Sequence, residues 1–186
     1  MRGRWLIFLV GLGIGVPGWA QGRPPDLPKL KAAAETGDPQ AQFDYARALP
    51  ASRGAEQLDW LEKDLAPLSA DTPIVLFAHV PLWLVYPKWG WGTDDGAKAL
   101  ALVKRFGSVT VLNGHIHQVV QKVEGNITFH TARGTAFPLP APGAAPKPGP
   151  MPVEASRLRS LLGLTTVSYV ETSRMLAVVD ATLASG

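Results

Sequence analysis

The stretch Val109-Thr110-Val111-Leu112-Asn113-Gly114-His115-Ile116-His117 decides how the chain is read. Its first four residues are β-branched or apolar and predict a buried strand; Asn113-Gly114 ends that strand in a turn. Two imidazoles follow at i and i+2. In an extended backbone such residues point to the same side. Two histidines so placed can ligate one ion or two adjacent ions. An isolated pair of this kind also serves simply as two polar residues in a strand-end turn, so the neighbouring segments must choose between the two.

Upstream, Thr72-Pro73 opens the apolar run Ile74-Val75-Leu76-Phe77-Ala78, which predicts a strand buried on both faces. It ends at His79, and Pro81 prevents the ladder from continuing. Leu84 to Gly92 is an aromatic loop with Tyr86, Trp89 and Trp91. Thr93 is placed to cap a helix, with Asp94 and Asp95 in a first turn whose dipole favours acids. That helix is expected to reach about Phe106, burying Ala97, Leu100 and Val103, with Lys104 and Arg105 in its last turn and Gly107 at its end. The order is therefore strand, helix, strand, with His79 after the first strand and His115 and His117 after the second. A right-handed crossover would bring both carboxyl ends to one edge of a sheet, where α/β folds place their sites. Neutral imidazoles meeting there suit Mn, Fe, Zn or Ni rather than the oxygen-seeking Mg and Ca.

The chain has 186 residues. It opens with Arg2 and Arg4, the apolar run Trp5 to Val16, and small residues through Ala20, the layout of a secretory signal peptide over residues 1–20. Twelve apolar residues are too few to span a bilayer as a helix. Cleavage after Ala20 would lower the formal charge from +3 to +1 by removing two arginines. No lysine- or arginine-rich run then remains to argue for nucleic acid. There is no cysteine, so neither a disulfide framework nor a thiolate metal site exists. Residues 21–50 read as a proline-rich linker followed by a helical segment. From Leu30 to Leu49, around the Gly37-Asp38-Pro39 break, that segment resembles the first part of a tetratricopeptide-like repeat and fits a plain helical hairpin equally well. Gln57 to Leu65 predicts an amphipathic helix with Leu58, Leu61 and Leu65 on one stripe. Beyond the histidines, Gln118–Val123 and Asn126–Thr131 predict two strands joined at Glu124-Gly125-Asn126. Seven of the 15 residues from Pro138 to Pro152 are proline, which excludes helix and central strand. A short helix over Ser156–Leu162 and a closing hairpin over Thr166–Val170 and Met175–Val179 complete the chain.

Three segments together carry a family resemblance: Gln57-Leu58-Asp59-Trp60-Leu61-Glu62-Lys63-Asp64-Leu65, Phe77-Ala78-His79-Val80-Pro81-Leu82 and Asn113-Gly114-His115-Ile116-His117. Over about residues 51–184 the chain resembles the C-terminal half of the calcineurin-like metallophosphoesterase superfamily. The resemblance implies a partial αββα sandwich preceded by a short helical segment. It implies hydrolysis of phosphomonoesters or phosphodiesters at a site of two divalent transition ions. It also implies ligand roles: His79 and His115 on the second ion, His117 on the first. Two such cations clamp a phosphate ester and lower the pKa of a bridging water.

The family's N-terminal motifs, D-x-H, G-D-x-x-D and G-N-H-[D/E], are not matched. No histidine or asparagine precedes His79, and Ala41 follows Gly37-Asp38 where the second motif needs an aspartate. The expectation is a C-terminal half joined near Pro50 to a leader and helical segment, as an internal deletion or a misjoined reading frame would produce. It should lack a bridging carboxylate and leave the Ile74–Ala78 edge bare. The functions to weigh are an exported, impaired metallophosphoesterase and a non-catalytic metal-binding or envelope interaction module.

Other polar and aromatic residues have ordinary explanations. His130 is expected to be a satisfied strand histidine. Asn113 and Arg133 lie where they could touch phosphate, yet turn and loop roles account for them. Trp83, Trp89 and Trp91 either wall a pocket or pack.

Overall fold

The computed structural model describes residues 53–184, apart from 171 and 174, together with residues 6, 7, 29 and 32. The signal peptide expected over 1–20 and the linker and helical segment expected over 21–50 lie outside the described residues, save Leu6–Ile7, Lys29 and Ala32. In chain order the elements are the two-residue strand β1 (Leu6–Ile7), helix α1 (Arg53–Leu65), β2 (Ile74–Ala78), a 3₁₀ turn (Pro87–Trp89), α2 (Gly96–Val103), β3 (Val109–Asn113), β4 (Gln121–Glu124), β5 (Ile127–Thr131), α3 (Ala155–Leu161), β6 (Gly163–Val170) and β7 (Met175–Thr182).

The architecture is mixed α/β. Four strands in the order β2-β3-β5-β4 form a mixed sheet, and β1 adds a dipeptide to its outer edge. Strands β2, β3 and β5 are parallel; β4 is antiparallel to β5. The register pairs Ala78 with Asn113, so β2 and β3 end level with each other. The edge of β2 is not wholly bare, because Leu6 and Ile7 pair with Leu76 and Phe77.

Alternation along the strands builds the core. Ile74, Leu76 and Ala78 of β2, Val109 and Val111 of β3, and Ile127 and Phe129 of β5 are buried against Leu61 and Leu65 of α1 and Ala99, Leu100 and Val103 of α2. The stripe expected on α1 is the one that packs, and Trp60 beside it is exposed. Arg105 closes the end of α1 by donating to the carbonyls of Leu65 and Leu68 at 2.5 and 2.9 Å, a cation at a helix C-terminus.

Two expectations need correction. Strand β2 is not buried on both faces: Val75 and Phe77 are only half-buried, because both helices pack on the other face. Helix α2 starts at Gly96 rather than beside Thr93, whose hydroxyl donates instead to the Pro81 carbonyl at 2.9 Å. Gly96, Ala99, Leu100 and Val103 are buried and Ala97 faces solvent, and the helix ends at Val103, short of Phe106 and with Lys104 and Arg105 beyond its last turn. Gly96 is required there, since a Cβ would overlap the Leu82 carbonyl.

The closing hairpin is longer than expected, with β6 and β7 paired over eight positions as a separate two-stranded sheet. Its tie to the first sheet is His130, buried in β5, whose Nε2 lies 3.1 Å from Asp180 Oδ1 of β7. The Gln121 amide meets Nδ1 of the same ring at 3.1 Å. His130 is thus the satisfied strand histidine that its position implied.

Candidate metal centre

The level ends of β2 and β3 bring the histidine turns together. The Gly114 N–H donates to the His79 carbonyl at 3.0 Å. Asn113, the last residue of β3, donates from Nδ2 to the carbonyls of Ala78 (2.6 Å) and Val80 (3.3 Å), on either side of His79. One amide therefore fastens the turn that presents His79. Asn113 is 5 % exposed, and its Oδ1 is buried with no hydrogen-bond partner. An orphaned buried acceptor costs about 1–3 kcal/mol, and here it sits beside the two histidine turns.

The extended geometry expected for His115-Ile116-His117 is not what forms. The strand stops at Asn113, and both histidines adopt left-handed backbone, with φ of 61° at His115 and 52° at His117. The Ile116 N–H returns to the Gly114 carbonyl at 2.7 Å, a γ-turn centred on His115, and at positive φ this is the rare, strained form. Ile116 is fully buried. It plugs the turn into the core, and burying it offsets backbone strain of about 1–3 kcal/mol per residue. The two imidazoles are therefore not aligned by an extended backbone; the turn itself sets where the rings go.

It brings His79 and His115 face to edge, with ring centres 5.3 Å apart and planes at 80°. Two imidazoles bound to one tetrahedral ion at about 2.1 Å would hold their ring centres roughly 5 Å apart, so this separation matches a shared ion. Burial lowers the pKa of His79, and the nearby His117 lowers it further. His115 is pushed down to about 4, first by burial, then by His79 and His117. Both rings are therefore neutral at pH 7, the state a metal ligand needs.

His117 is held differently. Its Nδ1 is 2.8 Å from the Phe137 carbonyl, and its ring lies 4.8 Å from that of Phe137. Among the described residues no three His, Asp or Glu side chains converge as a ligand set. Of the three candidate ligands, His79 and His115 have their rings in contact, while His117 is seated against Phe137.

The remaining candidates pack. Trp83 lies on Phe129 at 4.7 Å, and Trp89 stacks edge-on between Tyr86 and Trp91 at 5.1 and 4.8 Å. Arg133 faces the hairpin, where its charge acts on Asp180. An open cavity of about 350 Å³ is lined by Met151, Val153, Arg157 and Leu161, none of them one of the histidines. The fastening role of Asn113 and the seating of His117 by Gly134 and Phe137 were not visible in the sequence; both depend on the register of β2 with β3 and on the course of the later loop. The chain matches no family model and no curated protein sequence.

Proposed function

We propose that this chain is an ion-binding portion of a metallophosphoesterase of the calcineurin-like type. In this reading it is exported through its N-terminal leader and binds a divalent transition ion with His79 and His115. His117 contributes from the same turn. The observation that carries the reading is the pair of neutral imidazoles, 5.3 Å apart, on the level ends of two adjacent parallel strands. The mixed sheet with helices α1 and α2 on one face, and the separate β6–β7 sheet joined to it through His130, are the parts a partial αββα sandwich would retain.

The residues' own contributions follow from their contacts. Asn113 holds the His79 turn, Gly114 links the two turns, and Ile116 anchors the strained loop. The lowered pKa values keep the ligand nitrogens unprotonated. A bound transition ion supplies Lewis acidity toward a phosphoryl oxygen and a water of lowered pKa. Three imidazoles bring no negative charge, so a second cation at about 3.5–4 Å would meet uncompensated repulsion. Turnover of a phosphate ester is accordingly weak in this chain by itself.

The absence of a convergent carboxylate among the described residues favours a second reading, a non-catalytic ion-binding remnant. One experiment separates them: hydrolysis of bis-p-nitrophenyl phosphate and p-nitrophenyl phosphate with added manganese or nickel, alongside calorimetric titration of the ion. Turnover abolished in His117→Ala supports the phosphoesterase. Ion binding without turnover supports the remnant. No ion binding at all defeats both.

A further inference from the structure

We propose that the turn from Gly134 to Leu139 is a positioning element for His117, fixing its Nδ1–H tautomer and leaving Nε2 as the free lone pair of the ring. The inference deepens the ion-binding reading, and depends on it only for what Nε2 meets.

Three contacts converge on this ring. A carbonyl oxygen can only accept, so a neutral imidazole with Nδ1 2.8 Å from the Phe137 carbonyl must carry its proton on Nδ1. The Phe137 ring lies 4.8 Å from the imidazole and limits its rotation. Gly134 is buried against the same atoms: a Cβ there would stand 2.5 Å from Nδ1 and 2.8 Å from the Phe137 carbonyl. Any side chain at 134 would push the donor and acceptor apart.

The next residue is tied to the same turn, because the Gln118 amide donates from Nε2 to the Leu139 carbonyl at 2.6 Å. The turn is itself anchored at both ends. The Gly163 N–H reaches the Gly134 carbonyl at 3.2 Å, and the Met151 N–H reaches the Pro138 carbonyl at 3.0 Å. His117 holds a positive φ of 52° that a residue with a side chain seldom adopts. These ties keep it there. A ring whose Nδ1–H is committed to a backbone carbonyl is the arrangement that metal-ligating histidines use to fix tautomer and direction.

The test reads the tautomer directly, by long-range ¹H–¹⁵N correlation on the full chain without metal at neutral pH. A histidine free in water favours the Nε2–H form, so an Nδ1–H signature at His117 is diagnostic. In Gly134→Ala, His117 should move toward the Nε2–H form while His130, held by Asp180 and Gln121, stays unchanged. Zinc affinity by calorimetry should fall about 10- to 100-fold in the same variant. Phe137→Leu keeps the carbonyl and should keep the tautomer. An Nε2–H signature at His117 in the unsubstituted chain overturns the proposal. So does a folded Gly134→Ala that retains both tautomer and zinc affinity. If Gly134→Ala does not fold, the unsubstituted chain and Phe137→Leu decide. An Nδ1–H ring in a chain that binds no zinc upholds the positioning role and defeats the ion-binding reading instead.

Discussion

Lowering the pH through the range in which the clustered imidazoles take up protons should cost this fold stability, and His115 should dominate the effect. In the unfolded chain His115 titrates near 6.5; in the fold it is held down to about 4 by burial and by His79 and His117. Between those values the unfolded state binds more protons than the folded one, so stability falls as the pH falls. The contribution is fully present above about 6.5 and fully lost below about 4. At 1.36 kcal/mol per pKa unit, and discounted for solvent access to a half-buried ring, the shift corresponds to about 2–3 kcal/mol. His79, also shifted down, adds in the same direction. The variant that isolates the effect is His115→Asn, because asparagine tolerates the positive φ of that position and does not titrate. Urea unfolding at pH 7 and at pH 4.5 should show the unsubstituted chain losing about 1.5–2 kcal/mol more than His115→Asn, most but not all of the full effect because the folded ring is only partly protonated at pH 4.5. Equal losses in the two proteins would refute the reasoning, as would an NMR titration placing His115 near its ordinary value.

Further expectations follow from other contacts. Asp180→Ala removes the partner of His130 across the two sheets and should destabilise by about 1–2 kcal/mol in urea, after allowance for the partial exposure of the carboxylate; no loss would mean that the link between the sheets is passive. Partial burial pushes the Asp180 carboxyl up, but hydrogen bonds from Thr165 and His130 and the charges of His130 and Arg133 outweigh it and hold it below its ordinary value. Its contribution should therefore be present above about pH 4 and fade as the pH falls below that, a fade absent from Asp180→Asn stability profiles. Gly96→Ala, which in an open helix would stabilise by about 1 kcal/mol, should destabilise by about 1–3 kcal/mol because the methyl meets the Leu82 carbonyl; a raised melting temperature would contradict the packing. Saturating zinc at about 100 times its Kd should stabilise the chain by about 2.7 kcal/mol and should fail to do so in His79→Ala.

Much of this was readable in the residues. The two buried parallel strands end where Ala78 and Asn113 meet polar turns, because β-branched runs give way there to His79 and Gly114. The Leu58, Leu61 and Leu65 stripe packs as its spacing requires. Thr93 was misread because a threonine ahead of two aspartates looks like a cap, whereas tertiary structure offered its hydroxyl the Pro81 carbonyl. The turn at His115 and His117 could not be read from an i, i+2 spacing, since the spacing assumes extended backbone. Here burial of Ile116 holds two left-handed residues around it. Gly134 gave no signal at all, because its close approach to His117 depends on a loop that folds back from beyond the strand.

The most direct test of the account is X-ray absorption at the zinc edge of the zinc-loaded full chain. The account predicts imidazole nitrogens at about 2.0–2.1 Å in the first shell, with fewer of them in His115→Ala. A first shell of water oxygens alone, or a spectrum indifferent to that substitution, would contradict it.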